Sequence, residues 1–332
     1  MTVPFVAQLP GAHASAPSAA IRSVPTEFGP LASAMSDAEV TDVFVVGDGS
    51  VWVDRGDGIR PAEVARLPAA RARELAVRLI SSGSRHADEV SPCVDVRLEG
   101  GIRVHVVLPP ISTGGALISI RVPSPAAPDL DELERRGFFD RVPRAEVDAL
   151  VTRRGNLLIT GAGGAGKTTF LGALLGSALP HERIVIIEDV AELRVAHPHV
   201  VSLQARQPNL EGAGGVGLDR LVRESLRMRP DRLVVGECRG VEVRELLAAL
   251  NTGHDGGAGT LHANSLDDVP ARLEALGAIA GLTTDAVGRQ AVSAFDAVLH
   301  LVRDRAGRRL ASIGRFCLDP AGRLGVVELS SP

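Results

Sequence analysis

The sequence predicts an α/β protein with a smaller α+β domain ahead of it, and three observations carry that reading. Short aliphatic runs such as "RIVIIED", "RLVVGE" and "AVLHLVR" alternate with helix-like segments in the C-terminal part, the pattern of a parallel, helix-covered sheet. Aromatic residues make up only 3% of the chain and Tyr is absent, so the cores must be built from Val, Leu, Ile and Ala, as in buried parallel strands. The N-terminal part instead alternates apolar and polar residues around turn signals, as half-buried hairpins do. At 332 residues the chain is long enough for more than one core.

Residues 1–25 are rich in Ala, Pro and Ser, and Pro4, Pro10 and Pro17 interrupt every apolar stretch. They are expected to be disordered, and with no Lys or Arg before Arg22 they do not read as a secretion signal. "VTDVFVVGDGSVWVDRG" predicts a hairpin from about Val40 to Arg55, turning at Gly-Asp-Gly. "PAARARELAVRLISSG" has helical spacing, "VDVRLEGGIRVHVVLPP" reads as a second hairpin about Gly100-Gly101, and "ALISIRVP" as another strand. These form an α+β domain over residues 26–122. "PSPAAPD", Pro123 to Asp129, carries Pro at three of seven positions, which suits a semi-rigid linker. Over residues 130–332 a helix containing "EVDALVTRR" leads into the strand "NLLIT", a glycine loop and a helix starting near Lys167. The strands "RIVIIED", "RLVVGE", "AGTLHA" and "AVLHLVR" follow, with the helix-like "GVEVRELLAALNTG" between them, and "LASIGRFCLDPAGRLGVVEL" closes the chain as a hairpin about Ala321-Gly322.

A net charge of -4 gives no global attraction to nucleic acid, so a nucleic-acid partner is not expected. Arg220, Arg223 and Arg227 fall at i, i+3 and i+7, which reads as one solvated helix face. Cys93, Cys238 and Cys317 are too scattered for a disulfide framework or a four-thiolate zinc site, which fits a reducing cytoplasm. No run approaches the roughly 18 apolar residues of a membrane span, so any membrane role would be peripheral.

"GAGGAGKT", Gly161 to Thr168, matches G-x-x-x-x-G-K-[ST] between a strand and a helix, the context that its mechanism requires. Gly161, Gly163, Gly164, Ala165 and Gly166 would let backbone N–H groups turn inward around phosphates, and the helix beginning at Lys167, Thr168 and Thr169 would add its partial positive charge. Lys167 would reach the β/γ-phosphates of ATP, and Thr168 would ligate Mg²⁺. Among 36 cationic residues Lys167 is the one lysine; the rest are Arg. A compact ammonium fits such a loop where a planar guanidinium would not.

A common P-loop enzyme would next show an apolar strand ending in Asp, but "PDRLVVGECRG" ends in Gly236-Glu237. With the acidic box "IEDVAE" before it and "TGHDGGAGTLHANS" after it, the chain resembles the secretion ATPase superfamily of type II and type IV secretion, conjugation and pilus systems. "LQARQPNLEG", and the absence of a four-cysteine insertion, resemble the tight-adherence pilus and conjugation branch in particular. The resemblance implies a RecA-like P-loop domain and roles for matching positions. Glu192 would orient or activate the attacking water, Glu237 would hold the Mg²⁺ shell through water, and His262 would sense the γ-phosphate. Arg103, Arg121, Arg206 and Arg239 stand where family arginines meet nucleotide, some across a subunit boundary.

The expected protein is therefore an ATP-hydrolysing motor subunit, assembled as a homo-oligomeric ring, by resemblance a hexamer. It would work with inner-membrane platform proteins at the cytoplasmic face. The alternatives are a DNA-transfer ATPase and a nucleotide-binding scaffold without significant turnover. Cys238 reads as a small buried hydrophobe, and Arg308 as an ordinary surface position.

Overall fold

The computed structural model describes residues 26–56, 58–123, 128–206, 214–304 and 307–329. The start expected to be disordered, most of the Pro-rich segment and the part of "LQARQPNLEG" that follows Arg206 lie outside them. The chain divides into two compact units, Met1–Pro125 and Ala126–Pro332.

In the first unit a 3₁₀ turn, Thr26–Leu31, leads into the short α1 (Ala32–Met35). The strands are β1 (Asp42–Val45), β2 (Val51–Asp54), β3 (Ile59–Pro61), β4 (Cys93–Arg97), β5 (Arg103–Val107) and β6 (Leu117–Arg121), with α2 (Ala69–Ser82) between β3 and β4. They form one sheet in the order β3-β2-β1-β6-β5-β4, antiparallel at every pairing. Strand alternation sends Val43, Val45, Val51, Val53, Val104, Val106, Ile118 and Ile120 to one buried face. There they join Leu75, Ala76, Leu79 and Ile80 of α2 in one core. The hairpin turn needs a glycine for two reasons: Gly49 has φ +80°, and a Cβ there would lie 1.9 Å from the carbonyl oxygen of Leu67.

The second unit begins with α3 (Leu130–Arg135) and α4 (Arg144–Thr152). Asp129 caps α3, accepting from the Glu132 N–H at 2.7 Å. Then follow β7 (Leu157–Gly161), α5 (Lys167–Gly176), β8 (Ile184–Glu188), β9 (Val200–Gln204), α6 (Leu218–Ser225), β10 (Arg232–Val235), α7 (Glu242–Leu250) and β11 (Ala258–His262). The chain ends with α8 (Val269–Ile279), α9 (Thr284–Ala294), β12 (Ala297–Asp304), β13 (Gly307–Leu318) and β14 (Leu324–Glu328). The strands make one sheet ordered β14-β13-β12-β7-β11-β10-β8-β9.

Residues of β7, β8 and β10 are buried throughout, because helices cover both faces. Leu157, Ile159, Ile184, Ile186 and Val234 pack with α3, α4 and α5 on one side. Leu158, Ile187, Leu233 and Val235 pack with α7, α8 and α9 on the other. At the opening end of β10, Arg232 is buried against Glu182 with Nε 2.6 Å from the carboxylate, and its Nη2 donates to the Val151 carbonyl, so the buried charge is paired.

The sheet is mixed: the expected closing hairpin is there as β13 and β14, and β13 in turn lies antiparallel on β12, since a tight turn can join only antiparallel neighbours. Two features differ from the sequence's expectation. Strand β9 at the far edge was not foreseen; its burial is partial along its length and "VVSLQ" lacks a continuous apolar run. The helix of Arg220 and Arg223 ends at Ser225, so Arg227 falls in the 3₁₀ turn Leu226–Met228. Arg223 pairs with Asp219 and Glu245, and Arg227 with Glu224, as a solvated face does.

Candidate active site

In a parallel sheet the carboxyl ends of the strands lie together, and ligand sites form in the crevice outside them. Here the central β7 runs into the glycine loop and α5. β11 lies beside β7 with His262 in register with Gly161, and β10 delivers Gly236 and Glu237 next to β11.

The loop's shape follows from its glycines. Gly161, Gly164 and Gly166 have φ of 148°, 73° and 96°, conformations that L side chains rarely adopt. A Cβ at Gly161 would also lie 2.5 Å from the Leu301 carbonyl oxygen. Gly163 has His262 Cε1 3.9 Å from its Cβ position, which puts the imidazole beside the loop. Ala165 is buried in the core beneath it.

Lys167 opens α5 and is only 7% exposed. Its Nζ donates to the carbonyl oxygens of Gly161 at 2.8 Å and Ala162 at 3.0 Å. Burial pushes its pKa down, and the negative charge of Glu237 opposes that shift. Thr168 is half-buried beside it, while Thr169 is exposed.

Glu237 is the hub. His262 Nε2 lies 2.7 Å from its Oε1, and Arg239 Nη2 pairs with its Oε2. Burial, then the charge of Lys167, push the His262 pKa below its ordinary value, against the pull of Glu237. The neutral imidazole that results can donate Nε2–H to the carboxylate. The Glu237 hydrogen bond chiefly raises the Arg239 pKa, with charge from Glu237, Asp189 and Glu192 adding to it. Arg239 therefore shares one electrostatic neighbourhood with Glu192, whose side chain is exposed. Glu242 at the start of α7 is buried and accepts from the N–H groups of Arg239 at 2.5 Å and Gly240 at 2.8 Å, which holds the turn carrying Arg239.

The structure thus brings together Lys167, Glu237, His262 and Arg239, with Glu192 nearby. Arg206 is not part of that cluster: its Nε donates to the Gly214 carbonyl at 2.6 Å within its own loop. Arg103 and Arg121 belong to the first unit, where they face each other across β5 and β6, and Arg121 pairs with Asp42 at 3.3 Å. Cys238 is buried and its pKa is raised by burial, so its thiol stays protonated and inert.

Three residues escaped the sequence reading. Arg308, expected at an ordinary surface position, donates from Nε to the Gly164 carbonyl oxygen at 2.9 Å. Its Cδ lies 3.0 Å from the Cβ position of Gly166. Arg303, its cross-strand partner, brings Nη1 to 3.4 Å from the Cβ position of Gly164. Glu188, the first acid of "IEDVAE", is 5% exposed, and its Oε1 accepts from the N–H groups of Glu192 and Leu193, both at 2.9 Å. No local motif marks the two arginines, because an antiparallel hairpin far along the chain carries them to the loop; Glu188 lay inside a box that the reading had already assigned to Glu192.

A family model described as "Type II/IV secretion system protein" matches residues 26–319. A Mycobacterium tuberculosis protein named for conjugal transfer is 49% identical over 92% of this chain and 88% of its own length. The conjugal transfer protein TrbB of Rhizobium radiobacter is 33% identical over 85% of each chain. Among solved structures, the Legionella pneumophila ATPase DotB superposes with a TM-score of 0.58 at 17% identity, covering 93% of this chain and 82% of that one. That likeness speaks for the fold.

Proposed function

The chain belongs to the type II/IV secretion system protein family, whose members are ATPases, and we propose that it hydrolyses ATP as the motor subunit of a pilus-assembly or secretion machine. The observation that carries the chemistry is the Lys167–Glu237–His262–Arg239 cluster beside the glycine loop. Lys167 is held by two loop carbonyls, and ATP's β/γ-phosphates offer its ammonium a stronger, anionic acceptor at the same place. Glu192 then orients the attacking water and takes its proton. His262, neutral and anchored on Glu237, presents its other ring edge toward the γ-phosphate side, where it distinguishes ATP from ADP. Arg239 meets charge that develops on the transferred phosphoryl group.

The donors present suit Mg²⁺: the Thr168 hydroxyl and the Glu237 carboxylate are hard oxygen donors of the kind this ion takes. When bound, the ion neutralises phosphate charge during transfer. Thr168 and Glu237 are the residues that would hold it.

Among the described residues no helix is long and apolar enough to cross a membrane. The proposed place is the cytoplasmic face, docked on inner-membrane platform proteins, in a hexameric ring in which Arg103, Arg121 or Arg206 meets a nucleotide held by a neighbouring subunit. Phosphate release by the purified chain, against a Lys167→Ala control, tests turnover; no turnover above that control would leave only a nucleotide-binding scaffold. Relatives named for conjugal transfer favour a second reading, DNA transfer. Its mark would be ATPase activity stimulated by DNA in a salt-dependent way.

A further inference from the structure

Gly236, the residue just past β10, stands where common P-loop enzymes carry an aspartate, and the neighbouring strand explains why. β8 and β10 are parallel, with Val235 beside Ile187 and the Gly236 N–H donating to the Ile187 carbonyl at 2.8 Å. The next pair, Gly236 and Glu188, therefore stand side by side at the carboxyl edge of the sheet. A Cβ built on Gly236 would lie 2.6 Å from Glu188 Cγ and 3.1 Å from its Oε1. Real side chains do not tolerate the first of these distances. Gly236 is not among the glycines with positive φ, so what this position requires is space and not backbone freedom. The Glu188 side chain fills that space, buried, and from there its Oε1 accepts the backbone N–H groups of Glu192 and Leu193.

We propose that Glu188 is a positioning residue for Glu192, and that Gly236 is glycine so that this carboxylate can cross the end of β10 and hold the Glu192 main chain. The acceptor fixes two successive N–H groups at once, which leaves the Glu192 backbone little freedom to shift. The two strands thus work as a coupled pair: a side chain at 236 is compatible with the fold only if the one at 188 is cut back. This rests on the reading of Glu192 given above, and only the steric half is independent of it.

The test combines a mutant cycle with kinetics on the full chain. Glu188→Ala should lower kcat at least about tenfold, since a misplacement near 1 Å can cost ~10² in rate, with nucleotide KM nearly unchanged. Glu188→Gln, whose amide oxygen accepts both N–H groups, should recover at least about a third of wild-type kcat. Gly236→Ala should lower Tm in the wild-type background but much less in the Glu188→Ala background. If Glu188→Gln is as slow as Glu188→Ala, charge and not positioning is what the site needs, and the proposal falls. If Gly236→Ala costs the same Tm in both backgrounds, or if Glu188→Ala does not fold and Gly236→Ala alone leaves Tm unchanged, the coupling is absent and the proposal falls. Glu192→Gln, run in parallel, separates the two layers: full turnover there sinks the role of Glu192 while the Tm cycle still decides the 188–236 pair.

Discussion

The guanidinium of Arg308, on β13, donates from Nε to the carbonyl oxygen of Gly164 at 2.9 Å. A hairpin that adds an antiparallel edge to the sheet therefore also grips the phosphate loop, close to the φ 73° turn at Gly164. With Arg303 directly opposite on β12, two guanidinium groups lie over the glycines. Guanidinium groups in that position suit the oxygens of a polyphosphate held by the loop.

Arg308→Ala is accordingly expected to weaken binding of a non-hydrolysable ATP analogue by about threefold to tenfold, the worth of one partly exposed hydrogen bond, while leaving the fold intact. Titration of fluorescent nucleotide measures it. An unchanged Kd would mean that the contact is incidental to the loop's shape.

Glu192→Gln should keep nucleotide affinity and reduce turnover by ~10²-fold or more, because the amide is isosteric and cannot take the water's proton. Binding and steady-state phosphate release are measured on the same preparation. Loss of binding with an unchanged rate per bound ATP would reassign Glu192 to substrate binding.

The loop and its ordered boxes were legible because their chemistry demands particular residues at short spacing: Gly161 to Thr168 is one local motif, and Glu237 and His262 each close a buried strand. The alternation of Val43, Val45, Val51 and Val53 likewise announced the first hairpin. What could not be read is whatever depends on sheet order. Gly236 looked like a departure from a motif until β8 was placed beside β10 with Glu188 filling the gap. Arg308 looked like surface because its partner lies 144 positions away. Edge strand β9 was missed because one side of it has no neighbour to bury it, so its apolar pattern is weak.

Acid should destabilise the protein through two histidines. His300 is 4% exposed, with Nδ1 2.9 Å from Thr160 Oγ1; burial first, and Lys167 as well, push its pKa below the ordinary 6.5, while Asp268 and the Asn264 backbone pull it back. His262 shifts the same way. Both rings bind protons more readily in the unfolded chain, so their contribution is fully present above about pH 6.5 and is lost as pH falls below it. Tm measured against pH should be level above that value and decline below it, and His300→Asn should flatten the decline. A wild-type Tm that stays level down to about pH 5 would rule this out.

Lys167→Arg keeps the charge and substitutes the cation that this chain uses at all its other basic positions, yet it should nearly abolish hydrolysis. The Lys167 Nζ sits between the Gly161 and Ala162 carbonyl oxygens at 2.8 and 3.0 Å, in a site that leaves the residue 7% exposed. A tetrahedral ammonium fits there. A planar guanidinium is broader and must either displace the phosphates or swing outside the loop. The resulting loss of transition-state stabilisation is on the order of 3–4 kcal/mol, or ~10²–10³ in rate, by analogy with a deleted oxyanion donor. A suitable Arg→Lys control is Arg289, which is exposed on α9 and pairs with Asp285 one turn away at 3.1 Å, so Arg289→Lys should be near neutral. Turnover of Lys167→Arg above about a tenth of wild type, against that expected loss, would show that the loop accepts any cation. The solitary lysine would then need an explanation other than phosphate geometry.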